Sequence, residues 1–114
     1  MADKIGPKTK AIFSSPVLGN PYNIDTVLDI CKQNGLLFVS DNCDSLGSKW
    51  NGKYLTDYSV ASSCSFYPAH HITTGEGGMV SSNEPEIIRI ARRMAWWGRD
   101  CYCQSGKDDT CNKR

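Results

Sequence analysis

The sequence predicts an α/β fold with a mostly parallel sheet and flanking helices. A β-rich run at 10–14 is followed by a helical pattern at 24–34 and then by a continuous apolar run at 36–39. A strand, a helix and a second strand within roughly 30 residues form a βαβ unit. Because the run at 36–39 has no polar position, we expect that strand to be buried on both faces, as in parallel sheets covered by helices.

The first strand and the first helix have clear ends. Pro16 and the cluster Gly19-Asn20-Pro21 stop the strand. Asn23 is a preferred N-cap residue, since its side chain can accept a hydrogen bond from an N–H group of the first turn. Gly35 follows the helix and can take the left-handed conformation of a C-cap. Apolar residues recur on one side of this helix, at Ile24, Val27, Leu28 and Cys31.

The middle of the chain alternates turns and short strands. The stretch 46–58 is polar and rich in turn residues, with Asn51-Gly52 as the expected turn. Small residues at 60–66 predict a strand, and the run at 78–81 predicts a further short strand.

A second helix is expected to begin at Asn83 or Glu84, with Pro85 near its first position. Its spacing predicts an apolar inner face, made by Ile87, Ile90, Ala91, Met94 and Ala95. The tail at 100–114 is polar, cysteine-rich and without periodicity.

Composition excludes several classes of function. The chain has 114 residues and a formal net charge of +1, which gives no electrostatic case for nucleic acid or an anionic membrane. No apolar run approaches the roughly 20 residues of a membrane span. The first residues also lack the apolar core of a signal peptide. We therefore expect a cytoplasmic protein that binds neither nucleic acid nor membrane.

Six cysteines are many for such a chain. In a reducing compartment this number indicates metal or cluster ligation rather than disulfides. Three of them, Cys101, Cys103 and Cys111, lie in the tail, one short of a four-thiolate site. The alternative is that they are free thiols on a flexible tail.

A fourth ligand would have to come from the earlier cysteines. Cys31 and Cys64 fall inside a predicted helix and a predicted strand, where cysteine is usually a small buried hydrophobe. Cys43 lies in the loop after a strand end and is the sensible fourth ligand. Four cysteines suit both zinc and an iron–sulfur cluster, so this pattern does not choose between the two.

A second candidate region is the stretch 65–79, which contains the only two histidines, His70 and His71. It joins the end of a predicted strand to a glycine cluster, where a backbone can approach a ligand closely. Asp41 lies just past the carboxyl end of the preceding strand, the position where open α/β sheets bind ligands.

These two regions resemble motifs of the vitamin-B6-dependent sugar aminotransferases, the DegT/DnrJ/EryC1/StrS family. Residues 39–48, VSDNCDSLGS, are similar to its strand-end acidic motif, and residues 65–78, SFYPAHHITTGEGG, to its cofactor-lysine motif. The resemblance implies the aspartate-aminotransferase fold, fold type I, with this chain in the middle of the large domain. At His70 the family normally has the lysine that binds the cofactor covalently.

The 3-dehydrase branch of that family, which acts on CDP-4-keto-6-deoxyglucose, has the same histidine. Its iron–sulfur members carry four cysteines separated by 57, 1 and 7 residues. Here 57 residues separate Cys43 from Cys101, 1 separates Cys101 from Cys103, and 7 separate Cys103 from Cys111. The resemblance therefore implies a [2Fe-2S] cluster on these four residues, with zinc as the alternative.

The resemblance also implies roles for three side chains. His70 cannot replace the lysine amine, so the cofactor would be pyridoxamine 5′-phosphate, bound non-covalently, with His70 as the general base. Asp41 would face the ring nitrogen of the cofactor and keep it protonated. Ser65 would bond its phosphate. His71 is expected to be a packing residue, and we expect no chemical role for Asn42 or Asp44, which shape the turn.

The function implied is removal of the C3 hydroxyl of CDP-4-keto-6-deoxyglucose, in 3,6-dideoxyhexose synthesis for lipopolysaccharide O-antigen. The implied partners are the nucleotide sugar, an NADH-dependent iron–sulfur flavin reductase that supplies electrons, and a second copy in a homodimer. The alternatives are a nucleotide-sugar aminotransferase, a cluster-free dehydratase, and a zinc-binding module without catalysis.

We expect residues 1–114 to form one incomplete, internal segment of the large cofactor-binding domain. Its start at 1–9 would be poorly ordered, and 100–114 would be the cluster-binding tail. A parallel sheet cut in this way exposes edges and apolar faces, so we expect the 114-residue chain alone to be unstable and inactive.

Overall fold

The computed structural model divides the chain into two compact units, Met1–Asn83 and Glu84–Arg114. It describes residues 2–101, 103, 106–107 and 110–113. Met1 of the predicted start, and residues 102, 104–105, 108–109 and 114 of the predicted tail, lie outside the described residues.

The first unit is built on a four-stranded sheet. The order of the strands is β1-β2-β5-β6. The first three of these strands run parallel to one another, and β6 is antiparallel to β5. The strands of this unit are β1 (Ala11–Ser14), β2 (Leu37–Asp41), β3 (Lys49–Trp50), β4 (Lys53–Tyr54), β5 (Ala61–Ser65) and β6 (Gly78–Ser81). This confirms the predicted α/β fold with a mostly parallel sheet.

One helix, α1 (Ile24–Asn34), connects β1 to β2. Its capping follows the prediction: the side chain of Asn23 accepts a hydrogen bond from the backbone N–H of Thr26 at 2.9 Å, and Gly35 has a φ of 63°. The apolar side of α1 packs on the sheet in a core of Ile12, Val27, Cys31 and Phe38. Burial of these apolar side chains is the main source of stability that the described contacts offer.

The prediction that β2 is buried on both faces is wrong. Phe38 is buried, but Leu37 is 55% exposed, and Phe13 on β1 is 68% exposed. The reason is the alternation of side chains along a strand: α1 covers the face that carries Phe38, and the face that carries Leu37 is left open.

A small antiparallel hairpin, β3–β4, precedes β5. Its turn is Asn51-Gly52, as predicted, and both residues have positive φ, 47° and 82°, which is the conformation of a type I′ turn. The two strands themselves were not predicted. Leu55, which follows the hairpin, is buried, so the end of the hairpin is held in the first unit.

The second unit contains α2 (Pro85–Ala95), with Glu84 as N-cap and the proline in its first turn. The predicted inner face is not buried: Ile90 and Met94 are exposed, and α2 has no buried residue. Its polar side carries a charge network, in which Arg89 bonds both Glu86 and Asp100. No helix in the described part of the chain combines the length and apolar character that crossing a membrane requires.

Candidate functional site

The carboxyl ends of β2 and β5 bring several polar side chains together in the first unit. Asp41 pairs in register with Ser63, and the backbone N–H of Asn42 continues the ladder to the carbonyl of Ser63 at 2.8 Å. Side chains two residues apart on a strand share a face, so Ser63 and Ser65 lie on the same side of β5. Parallel strands thus direct the residues at their carboxyl ends to one edge of the sheet.

The Asp41 carboxylate is the centre of this group. Its Oδ1 atom accepts hydrogen bonds from the Ser63 hydroxyl at 3.0 Å, from the Cys43 thiol at 2.7 Å and from the Cys43 backbone N–H at 3.2 Å. Burial raises the pKa of Asp41, but these hydrogen bonds, with a smaller contribution from the nearby His70, outweigh it and lower the pKa below its ordinary value. Asp41 is therefore an anion at neutral pH and can hold a protonated ring nitrogen.

Cys43 connects Asp41 to the end of β5. Its sulfur donates to Asp41 and accepts a hydrogen bond from the backbone N–H of Ser65 at 3.1 Å. Burial, together with the hydrogen bond to Asp41, raises the pKa of Cys43 to about 11. Without a bound ion Cys43 is therefore a thiol, and it would have to lose its proton to ligate a metal.

Ser65, the predicted phosphate ligand, is the last residue of β5. Its Oγ atom accepts a hydrogen bond from the backbone N–H of Tyr67 at 3.2 Å. The hydroxyl can still donate its own proton, which is what binding of a phosphate oxygen requires.

The histidines lie in a cleft of the first unit lined by Leu18, Asp44, Ala69, His70 and His71. Nδ1 of His70 lies 3.3 Å from Oδ1 of Asp44. The imidazole is about a quarter exposed, since its side chain has 23% of its surface accessible, whereas His71 is exposed. Among the residues that the structure describes, His70 has a carboxylate partner and His71 has none.

A close backbone approach supports the Asp44 side of this cleft. Gly19 has a φ of 75°, and a Cβ atom there would meet the Asp44 carbonyl and the Ser48 hydroxyl, each at 3.2 Å. The same hydroxyl donates to the Gly19 carbonyl at 2.9 Å. A side chain at this position would be strained and would push the loop that carries Asp44.

The second unit holds a three-sulfur group. The Sγ atoms of Cys101, Cys103 and Cys111 all lie within 4.8 Å of one another. Cys111 is 3.5 Å from Cys101 and 3.3 Å from Cys103, measured between sulfurs. Thiolates that share one ion with bonds of about 2.3 Å lie close to this distance from each other, so the group fits a zinc ion or one iron of a cluster.

The electrostatics of this group differ between its members, and Cys103 is the one best suited to ligation. The pKa of Cys103 is lowered to about 6, because the Thr110 hydroxyl donates a hydrogen bond to its sulfur and the Cys111 thiol is hydrogen-bonded to it, whereas the pKa of Cys101 is raised. A thiolate is the form that binds metal. Of the four cysteines predicted as a set, these three lie in the second unit and Cys43 lies in the first.

Several contributors to the site were not assigned a role from the sequence. Ser63 bonds Asp41, and its alternation with Ser65 along β5 is a signal that could have identified it. Asp44 and Asn42 were assigned only to the turn. Asp44 contacts His70 and Asn42 contacts Ser62, and these partners are too far apart in the sequence for a local pattern to predict the contacts.

A family model described as the DegT/DnrJ/EryC1/StrS aminotransferase family matches residues 1–111. Two curated relatives are a dTDP-4-dehydro-2,6-dideoxy-D-glucose 3-dehydratase of Saccharopolyspora spinosa, 45% identical, and the lipopolysaccharide biosynthesis protein RfbH of Salmonella typhimurium, 43% identical. Each match covers 94% of this chain, but 23% and 24% of the relative. The chain thus spans about a quarter of the length of these proteins.

Solved structures of an aminotransferase and of a 3-dehydratase share the fold of this chain. A Helicobacter pylori aminotransferase involved in the biosynthesis of pseudoaminic acid has a TM-score of 0.81 and 31% identity, over 91% of this chain and 28% of that one. An E. coli GDP-4-keto-6-deoxy-D-mannose-3-dehydratase with bound hydrated PLP has a TM-score of 0.72 and 32% identity, over 80% of this chain and 23% of that one.

Proposed function

The chain belongs to the DegT/DnrJ/EryC1/StrS aminotransferase family, and we propose that within it the protein is a 3-dehydrase dependent on pyridoxamine phosphate. Its fold is that of the PLP-dependent aminotransferases, and the family acts on nucleotide sugars in deoxysugar biosynthesis. The substrate we propose is CDP-4-keto-6-deoxyglucose, which loses its C3 hydroxyl in the synthesis of 3,6-dideoxyhexoses for O-antigen.

The observation that carries this proposal is His70. It occupies the position that resembles the family's cofactor lysine, and the sequence has no lysine between Lys53 and Lys107. An imidazole cannot bind the aldehyde form of the cofactor covalently as a lysine amine does, but it can take up a proton. Its position beside a cleft, in the loop between β5 and β6, suits a group that must reach a bound ligand.

The residues present fit the cofactor. When bound, pyridoxamine phosphate supplies an amine and a ring that accepts electrons. Asp41, whose lowered pKa keeps it ionised, would hold the proton on the ring nitrogen. Ser65 would donate its hydroxyl proton to the phosphate.

With the cofactor bound, His70 would take up a proton at Nε2 from the carbon next to the cofactor amine, while Asp44 faces its Nδ1 atom. This division of the two ring nitrogens holds the imidazole in one orientation, with Nε2 free to act as a base. With the cofactor amine joined to the sugar ketone, the C3 hydroxyl would then leave as water with the proton that His70 has taken up.

The four cysteines hold a [2Fe-2S] cluster in this proposal, with Cys43 joining Cys101, Cys103 and Cys111. The convergence of three sulfurs in the second unit supports metal binding there. When bound, such a cluster transfers single electrons, which an NADH-dependent flavin reductase would supply. A homodimer is proposed for the active form.

A nucleotide-sugar aminotransferase is the second candidate, because an aminotransferase is among the structures that the fold matches over most of this chain. The two activities differ in the fate of the amine: an aminotransferase leaves it on the sugar, and a dehydrase does not.

The chain alone is expected to be inactive, so the deciding experiment, like the other activity and binding tests, uses a purified protein of the full length of the relatives that contains this chain. This protein is incubated with pyridoxamine phosphate and CDP-4-keto-6-deoxyglucose, and the product is analysed by mass spectrometry. We expect a sugar that has lost water. An amino sugar formed with glutamate as donor would instead establish the aminotransferase. Iron and sulfide in equal amounts would support the cluster, whereas zinc without sulfide would exclude it.

A further inference from the structure

Asn42 is the residue between the proposed cofactor ligand Asp41 and the proposed cluster ligand Cys43. Its side chain lies on the opposite side of the β2 end from theirs, because it contacts Ser40 and Ser62, which belong to the other face of the sheet. Asn42 is only 2% exposed and is among the largest fully buried side chains in the described part of the protein.

Its amide is almost fully used in hydrogen bonds. Nδ2 donates to the Ser40 hydroxyl at 2.8 Å and to the Ser62 hydroxyl at 2.7 Å, and Oδ1 accepts from the Ser45 hydroxyl at 2.9 Å. These contacts join β2, β5 and the loop after β2. A neutral amide supplies two donors and an acceptor in one plane, which a carboxylate or an aliphatic side chain of the same size cannot do.

The backbone of Asn42 is held as well. Its N–H donates to the Ser63 carbonyl at 2.8 Å, and its carbonyl accepts from the Ser45 N–H at 3.2 Å. Because the side chain and the backbone of Asn42 are both fixed, the directions in which the side chains of Asp41 and Cys43 leave the backbone are fixed too. Buried, satisfied networks of this kind rigidify the segment that contains them.

We infer that Asn42 is a positioning residue, which holds the segment 41–43 so that the Asp41 carboxylate meets the ring nitrogen of the pyridoxamine cofactor. This inference rests on the proposed role of Asp41. Replacing Asn42 would weaken the contact of Asp41 with one atom of the cofactor, the ring nitrogen. This effect differs from a general destabilisation of the fold, which would weaken every contact with the cofactor.

The test compares binding of pyridoxamine phosphate with binding of its 1-deaza analogue, in which carbon replaces the ring nitrogen, by calorimetric titration of the purified protein. The unmodified protein should prefer pyridoxamine phosphate. In Asn42→Ala we expect affinity for pyridoxamine phosphate to fall roughly 10- to 100-fold, the range of a hydrogen bond to a charged group, with affinity for the analogue unchanged.

Two further variants keep the test decisive if Asn42→Ala does not fold. Ser62→Ala and Ser45→Ala each remove one partner of the amide and should reduce the same preference by a smaller factor. Val27→Ala, on the buried side of α1, is the matched control: it destabilises the core but removes no hydrogen bond of the Asn42 side chain, and it should leave the preference intact.

An unchanged preference in the Asn42 and serine variants would overturn the inference, and so would an equal loss of both affinities. If the unmodified protein binds both ligands equally, the role of Asp41 itself fails, and the inference fails with it. The two failures are thus distinguished by the unmodified protein alone.

Discussion

The imidazole of His70 and the carboxylate of Asp44 face each other across 3.3 Å, although 25 residues separate them in the sequence. The neighbouring His71 is exposed and has no such contact among the described residues. This contact distinguishes two histidines that are chemically identical in the sequence, and it makes Asp44 the residue through which the orientation of His70 can be tested.

Asp44→Ala should lower the rate of dehydration by one to two orders of magnitude with little change in KM for the sugar. A positioned general base contributes about 10²- to 10⁴-fold, and Asp44 acts only through that base. Steady-state kinetics of the purified protein measure the effect. Asp29→Ala, which removes an exposed carboxylate on α1, is the control and should have no effect. A normal kcat in Asp44→Ala would show that the contact does not orient His70.

His70→Lys should restore covalent binding of pyridoxal phosphate and abolish dehydration. A lysine amine at this position can bond to the aldehyde, which imidazole cannot do. Borohydride reduction followed by peptide mass spectrometry locates the modified residue. His71→Lys is the matched control and should remain unmodified. Dehydration that persists in His70→Lys would remove His70 from the role of base.

Much of the fold was predictable because its signals are local. The cap at Asn23, the left-handed Gly35 and the turn at Asn51-Gly52 each depend on residues a few positions apart. The exposure of Phe13 and Leu37 was not predictable, because an apolar run does not say which of its faces another element covers. The strands of the β3–β4 hairpin have two residues each, too few for a periodic pattern.

In the site too, the features with local signals were predictable and those that depend on packing were not. Asp41 and Ser65 were assigned from motifs at strand ends, and the sheet brings both ends together through Cys43. The contact of His70 with Asp44 depends on the paths of two loops, which no spacing in the sequence encodes. The anchoring of Asn42 likewise depends on which strand lies beside β2.

Cys101→Ser should remove the metal from the purified protein, with dehydration preserved and reductive turnover lost. The sulfur of Cys101 lies 3.5 Å from that of Cys111, so its loss leaves the three-sulfur group with two sulfur atoms. Iron, sulfide and zinc analysis measures the metal content. Cys31→Ser is the control, because Cys31 belongs to the apolar core and should not alter the metal. Reductive turnover that is unchanged in Cys101→Ser would exclude the electron relay.

The 114-residue chain on its own should not unfold cooperatively. Its exposed apolar side chains include Phe13 and Leu37 on the open side of the sheet, and Met94 and Trp97 in the second unit, the last two 76% and 80% exposed. Exposed apolar side chains of this size are costly in water and promote association. Thermal unfolding followed by circular dichroism should give a broad, concentration-dependent change, and Phe13→Ser with Leu37→Ser should reduce the association without producing a cooperative transition. A sharp transition of the unmodified chain, independent of concentration, would show that the core around Phe38 is sufficient for folding.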